Sequence, residues 1–268
     1  MPGDGDALKR IDEFRLGIQE RSCTRKERFR WGTAFFHDRL ARVWDLNFLR
    51  VEGAPQDLDA RALAGEADRL QGAAGLEHRM VSIEDDRTGA RLSPELRSQG
   101  WSAETLVIMV HRRAPYRPVN TTIVREIDED TAASVTEAFT RTQPYGREDA
   151  TVRQIIEMRR VVAGAVPTRH FGAPDSGDPK SFCDLYSSKD GIGQIEDVAT
   201  LEAYRGRGLA TAVVAKALEE SVAAGNHITF LTADDDDWPK GLYGKLGFDA
   251  LGYKHSALKH PPAAAPYP

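Results

Sequence analysis

The stretch Gln194–Glu220 restricts the fold of this 268-residue chain more than any other. It begins Gln-Ile-Glu-Asp-Val-Ala-Thr-Leu-Glu, which reads as a strand. Ala-Tyr follows, then Arg205-Gly206-Arg207-Gly208-Leu209-Ala210, then a helix running to Glu220. That helix sets Leu209, Val213, Ala217 and Leu218 on one side and Lys216, Glu219 and Glu220 elsewhere. A strand that delivers a glycine turn onto a helix N-terminus makes an anion site. The first N–H groups of the helix lack intrahelical partners, and the helix dipole favours negative charge there. Gly206 and Gly208 let the backbone approach a bulky anion, and Arg205 and Arg207 add charge. A Walker loop is excluded because no Gly-Lys-Ser/Thr follows. A dinucleotide fingerprint is excluded because Thr211 stands where its third glycine belongs.

Downstream, Asn226–Ala233 reads as a second buried strand. After Asp234–Asp237 comes a short helix, Trp238–Leu246. Pro239 suits its first turn and Gly247, before Phe248, suits its C-terminal cap. Arg205-x-x-Gly208-x-Ala210 resembles the acetyl-CoA loop of the GNAT N-acetyltransferases. Leu242-Tyr243-x-x-Leu246-Gly247-Phe248 resembles the second signature of the same family, in the right order and spacing. The resemblance covers residues 120–256. It implies an α/β (α+β) fold with a mixed sheet and helices on both faces, acetyl-CoA as co-substrate and no metal.

The resemblance also implies roles. The strand before the loop should splay from its neighbour and offer backbone groups of Val198, Ala199 and Thr200 to the pantetheine arm, with the Val198 N–H as oxyanion donor. The bland reading of Val198 and Ala199 is strand core. Tyr243 should protonate or orient the leaving thiolate; otherwise it packs in a core. Asp236 sits where the family often carries an Asn near the cofactor, and Thr142–Gly146 lies where GNAT folds border the acceptor. Glu196 and Asp197 are the candidate bases. Neighbouring strand residues face opposite sides, so at most one of them points into a cleft. A carboxylate buried there would have a raised pKa, as a base acting through water needs; the alternative is a salt-bridged structural acid. Four consecutive acids cannot all converge on one ion, so capping of the next helix by Asp236 or Asp237 fits Asp234–Asp237 better than a metal site. No His-x-x-x-His spacing and no Gly-x-Ser-x-Gly elbow is present.

The N-terminal half reads as a solvated, charge-rich helix over residues 8–30, an aromatic segment Trp31–Trp44, a strand Leu46–Glu52 and a helix Leu58–Leu70. A strand Glu77–Glu84, a short helix Pro94–Gln99, a strand Thr105–His111 and a linker Arg112–Pro118 follow. This order returns 150 residues later: Phe48–Glu52 parallels Val198–Glu202, and Ala73-Ala74-Gly75 parallels Ala223-Ala224-Gly225. Gly100-Trp101 parallels Gly247-Phe248. The chain therefore reads as two copies of one fold: a degenerate GNAT-like domain at 1–118, an acetyl-CoA-binding GNAT domain at 119–260 and a disordered tail at 261–268. The first copy carries Pro55–Ala60 in place of the Arg205–Ala210 loop, with two acids and no glycine or arginine, and Leu96 in place of Tyr243. An acidic turn caps a helix and repels pyrophosphate.

A net charge of −5 argues against nucleic acid or an anionic membrane as the main partner. Two cysteines fit a reducing cytoplasm, and no apolar run reaches membrane-spanning length. The expected activity is acetyl-CoA-dependent transfer to a primary amine on a small molecule or peptide. A non-catalytic acyl-CoA sensor or scaffold, or a longer-acyl or aminoacyl transferase, would share the loop. Monomer and homodimer both remain open.

Overall fold

The computed structural model describes residues 3–174 and 176–261; the remainder of the Pro/Ala-rich tail lies outside the described residues. Seven helices and eleven strands alternate along them. The first half holds α1 (Asp4–Ser22), β1 (Arg25–Phe29), β2 (Gly32–Phe36), β3 (Phe48–Val51), α2 (Ala60–Ala73), β4 (Arg79–Ile83), α3 (Asp86–Ser98) and β5 (Ser102–His111). The second half holds β6 (Arg125–Ile127), α4 (Glu129–Thr140), α5 (Asp149–Ala165), β7 (Thr168–Ala173), β8 (Ser181–Ser187), β9 (Ile192–Thr200), α6 (Leu209–Ala223), β10 (Ile228–Asp234), α7 (Pro239–Lys245) and β11 (Phe248–Lys259).

These elements form two compact units. Among the described residues, one holds 16–107, 234–236 and 252–261; the other holds 3–15, 108–174, 176–233 and 237–251. In the first unit the strand order is β1-β2-β3-β4-β11, with β11 antiparallel to β4 from His255↔Ile83 to Lys259↔Arg79. Its core joins Leu49, Val51, Leu63, Ala67, Leu70, Val81, Ile83, Leu92 and Leu96. The charged residues Arg25–Arg28 stand exposed on the edge strand β1, where they discourage further pairing.

In the second unit the order is β5-β10-β9-β8-β7-β6. β6 to β9 form an antiparallel meander, and β9 pairs in parallel with β10. α6 covers them with Val213, Val214 and Ala217 fully buried. The start of α1 belongs here too. The helix expected to be solvated over residues 8–30 ends at Ser22 and buries Ala7, Ile11 and Phe14, which share one helical face. Phe14 stacks edge-on against Phe230 at 6.1 Å, and Arg10 donates to the Asp190 carbonyl at 2.8 Å.

Two stretches, one in each half of the chain, carry the same run of elements. β3-α2-β4-α3-β5 and β9-α6-β10-α7-β11 share one element order. Gly75 and Gly225 both leave a helix at positive φ, +71° and +83°. The short helix expected at Pro94–Gln99 is the end of the longer α3, which Asp85 caps by accepting from the Thr88 N–H at 2.8 Å.

Candidate active site

The turn between β9 and α6 takes its shape from two left-handed glycines, Gly206 at φ +74° and Gly208 at φ +78°. A Cβ at either would meet no neighbour, so the requirement is conformational, not steric. Gly208 is the N-cap of α6, and no side chain caps this helix. The first intrahelical bond runs from the Ala212 N–H to the Gly208 carbonyl at 3.0 Å, which leaves the amides of Leu209, Ala210 and Thr211 pointing out of the helix end. Arg205 leans back on the Thr200 carbonyl at 3.4 Å. Arg207 donates to the Ala203 carbonyl at 3.0 Å and lies over the Tyr204 ring. A cleft of about 710 Å³ opens beside this turn. Arg207, Gly208, Thr211, Tyr116, Arg117 and Lys245 are among its walls.

α2 begins in the opposite way. Asp59 is its N-cap and accepts from the Ala62 N–H at 2.7 Å. Asp57 is held by the Trp31 indole at 3.1 Å and by Arg30.

The strand leading into the turn parts from its neighbour. β9 pairs with β10 from Ile192↔Ile228 to Gln194↔Phe230, then runs on to Thr200 with no further partner on that side among the described residues. β3 does the reverse. It pairs with β4 up to its end at Val51↔Ile83, and the Glu84 N–H continues the ladder to the Val51 carbonyl. Along its other edge β9 carries a bulge. Glu196 faces Asp184 and Ala199 faces Phe182, so Asp197 and Val198 together oppose Cys183. Asp197 sits at φ +54°, the one non-glycine residue with positive φ among the described residues. The bulge overrides the simple alternation expected for Glu196 and Asp197. Glu196 is half-buried and accepts from the Gln194 side-chain amide. Asp197 is bonded to the buried Arg159 at 2.8 Å. Ala199 and Thr200 are tied to Ser181, whose hydroxyl donates to the Ala199 carbonyl at 2.9 Å and lies 2.8 Å from the Thr200 hydroxyl.

Tyr243 comes from α7 and is buried, 7 % exposed, with its ring against Phe248. Burial pushes its phenol well above the ordinary value, and the charge of Glu196 pushes the same way, followed by Cys183 and Asp237. Tyr243 therefore stays protonated through the physiological range. Gly247 ends α7 at φ +95°, and a Cβ there would lie 1.8 Å from the Arg113 carbonyl oxygen. That close approach explains the Leu-Gly-Phe of the second signature.

The sequence profile of the acetyltransferase (GNAT) family matches residues 132–248. These residues are a GNAT acetyltransferase domain. The fold of the whole chain is similar to that of a functionally unknown conserved protein from Staphylococcus epidermidis ATCC 12228, at TM-score 0.64, 15 % identity, 87 % of this chain and 92 % of that one. It is also similar to a GCN5-related N-acetyltransferase from Kribbella flavida, at TM-score 0.61, 16 % identity, 94 % of this chain and 95 % of that one. A tandem GNAT protein from the clavulanic acid biosynthesis pathway aligns at TM-score 0.52 and 16 % identity over 82 % of this chain and 74 % of its own. No curated protein matches the chain.

Within the GNAT domain, β9, the turn and α7 belong to one compact unit together with Glu196, Asp197, Val198, Tyr243 and the Arg205–Ala210 loop. Asp236 does not join them. It falls in the other unit, and its amide donates to the Asp234 carboxylate at 2.9 Å. The expected capping by Asp236 or Asp237 is not found. The N-cap of α7 is Trp238, without a side-chain cap, and Asp237 accepts from the Trp238 N–H just outside the helix. Pro239 already fills the first turn, where a missing N–H costs nothing. Thr142–Gly146 turns sharply, and a Cβ at Gly146 would lie 1.8 Å from the Thr140 carbonyl.

Sequence reasoning missed Tyr116, Arg117 and Lys245. The segment read as a linker is laced to the end of α7: Arg112 N–H to the Gly247 carbonyl at 3.0 Å, Tyr116 N–H to the Lys245 carbonyl at 3.0 Å. Its cationic and aromatic composition was the available signal. Among the described residues no group of three or more His, Cys, Asp or Glu could hold a metal ion. No helix among them is long and apolar enough to cross a membrane.

Proposed function

We propose that this chain is an acetyl-CoA-dependent N-acetyltransferase that moves an acetyl group directly to a primary amine. The observation that carries this reading is the N-terminus of α6: opened by a left-handed glycine, capped by no side chain and facing a cleft with Arg207, Arg117 and Lys245 on its walls. Backbone amides and cations of this kind suit the phosphates of coenzyme A. Bound acetyl-CoA would supply the thioester. The freed edge of β9 beyond Gln194 leaves room for its pantetheine arm beside Val198, Ala199 and Thr200.

The protein's own groups then divide the chemistry. Glu196 takes a proton from the incoming ammonium through water, so that the neutral nitrogen attacks the acyl carbon. It suits this better than Asp197, whose carboxylate is occupied by Arg159. The Val198 N–H supports the developing oxyanion. Tyr243 gives its proton to the leaving thiolate as the carbon–sulfur bond breaks, and the second proton shed by the acylated nitrogen restores the tyrosine through solvent. Asp236 remains a weaker candidate for a cofactor contact.

Residues 119–260 carry the site, and residues 1–118 form a degenerate copy that does not bind acetyl-CoA. Three features support this: Asp59 fills the N-terminus of α2, β3 stays zipped to β4, and Leu96 lies fully buried where Tyr243 would be. Two free cysteines, Cys23 and Cys183, agree with a cytoplasmic enzyme. The acceptor is a small-molecule or peptide amine, with no role for nucleic acid or membrane, and the protein acts as a monomer or homodimer.

The test is a pair of measurements on the purified chain. Calorimetry should show saturable acetyl-CoA binding, and a panel of amines should give acceptor-dependent thiol release. Binding without release from any amine would favour an acyl-CoA sensor; no binding would end the proposal.

A further inference from the structure

One charge cluster, buried except for the exposed Asp197, has no part in the steps above. Arg159 on α5 is 7 % exposed, and its guanidinium joins two strands. Nη2 lies 2.7 Å from Asp184 on β8, and Nη1 lies 2.8 Å from Asp197 on β9. His170 on β7 completes the set, its Nδ1 2.8 Å from the same Asp184. Burial works against the charge on Arg159, and Asp184 and Asp197 more than offset it.

Clusters of this kind are poor devices for stability, because desolvation consumes most of the Coulomb gain and apolar replacements often do as well. They are better devices for fixing geometry. The geometry at stake is the β9 bulge. Asp197 sits at φ +54°, a left-handed conformation uncommon for residues with a Cβ, although Asp adopts it more readily than most and Ala less readily. The next peptide begins with Val198. We propose that Arg159 is a positioning residue: its ion pair with Asp197 locks the bulge, and with it the Val198 amide, in the orientation that acyl transfer uses. This rests on the acyl-transfer reading above.

The experiment compares Asp197→Ala, Asp197→Gly and Arg159→Met by amine-dependent turnover, acetyl-CoA calorimetry, thermal melts and the Val198 amide NMR shift. Asp197→Ala removes the anchor and leaves a Cβ at the strained position. Its kcat should fall at least thirtyfold with KM for acetyl-CoA within threefold. Asp197→Gly adopts positive φ freely and should recover at least a third of the lost turnover, with the Val198 shift moving back towards wild type. Arg159→Met should match Asp197→Ala, and the double variant should fall no further. Where Arg159→Met does not fold, the Ala and Gly comparison decides. Equal losses in Ala and Gly with disappearance of the acidic limb of the kcat–pH profile would make Asp197 a general base and overturn the inference. Lower melting temperatures with unchanged kcat would overturn it as well. A wild-type chain that binds no acetyl-CoA would overturn the acyl-transfer reading itself, and this inference with it.

Discussion

Gly208 and Asp59 occupy the same place, one residue before the first turn of a helix, and they differ by a carboxylate. A substitution Gly208→Asp would force positive φ on a residue with a Cβ, fill the open helix end and set a charge against phosphate. Acetyl-CoA affinity measured by calorimetry should fall by about a hundredfold or more, the loss of charge-assisted bonds worth roughly 3 kcal/mol. Unchanged affinity would remove the turn from the cofactor site. Tyr243 is testable on its own. Tyr243→Phe should lower kcat by about a hundredfold, the usual scale for a lost proton donor, and leave acetyl-CoA affinity within about twofold. The difference absorbance between the two proteins should show no phenolate at pH ~10, where an ordinary tyrosine is half ionised, since burial holds the phenol protonated.

His78 is a residue-scale case in the other unit. Burial lowers its pKa to about 4; the Asn47 carbonyl bond opposes this and the Arg79 charge adds to it. The folded state then binds fewer protons than the unfolded state between about pH 4 and 6.5, so stability rises with pH across that window. Denaturant titrations should show a loss of roughly 3 kcal/mol on going from pH 7 to 4, a slope that His78→Gln should remove.

At the scale of elements, β3-α2-β4-α3-β5 and β9-α6-β10-α7-β11 share an order and differ in edge chemistry. α2 and α6 were legible from Leu63, Ala67 and Leu70 and from Val213, Ala217 and Leu218, because a 3.6-residue period is a local property. The open end of α6 was legible for the same reason, since Gly-x-Gly before a helix leaves few backbone options. The parting of β9 from β10 was legible as a consequence of family resemblance alone. No local feature of Ile195–Thr200 states which neighbour it lacks. Asp59→Ala tests the contrast between the copies. It should cost about 1 kcal/mol of stability through the lost cap and leave acetyl-CoA affinity unchanged. A changed affinity would mean that the first copy takes part in cofactor binding.

At the scale of the whole molecule, the compact units exchange their terminal segments. α1 starts the chain, yet Ala7, Ile11 and Phe14 are buried in the unit that also holds the Arg205–Ala210 loop. Burying these side chains is worth roughly 5 kcal/mol, comparable to the whole stability of an ordinary domain. A fragment comprising residues 119–260 lacks α1 and the end of β5, both part of that unit. It should give poorly dispersed NMR spectra and no cooperative melt, whereas the full chain melts cooperatively. A well-folded fragment would refute the exchange.

The residues alone determined the glycine turn before α6 and most of the helices and strands around it, because turn geometry and periodicity act over a few neighbouring residues. Tertiary structure decided what depends on partners a hundred or more residues apart. Arg112 reaches Asp4, the end of β11 joins β4, and the supposed linker runs along the end of α7. The bulge at Asp197 is tertiary over a shorter span, since Arg159 reaches it from α5.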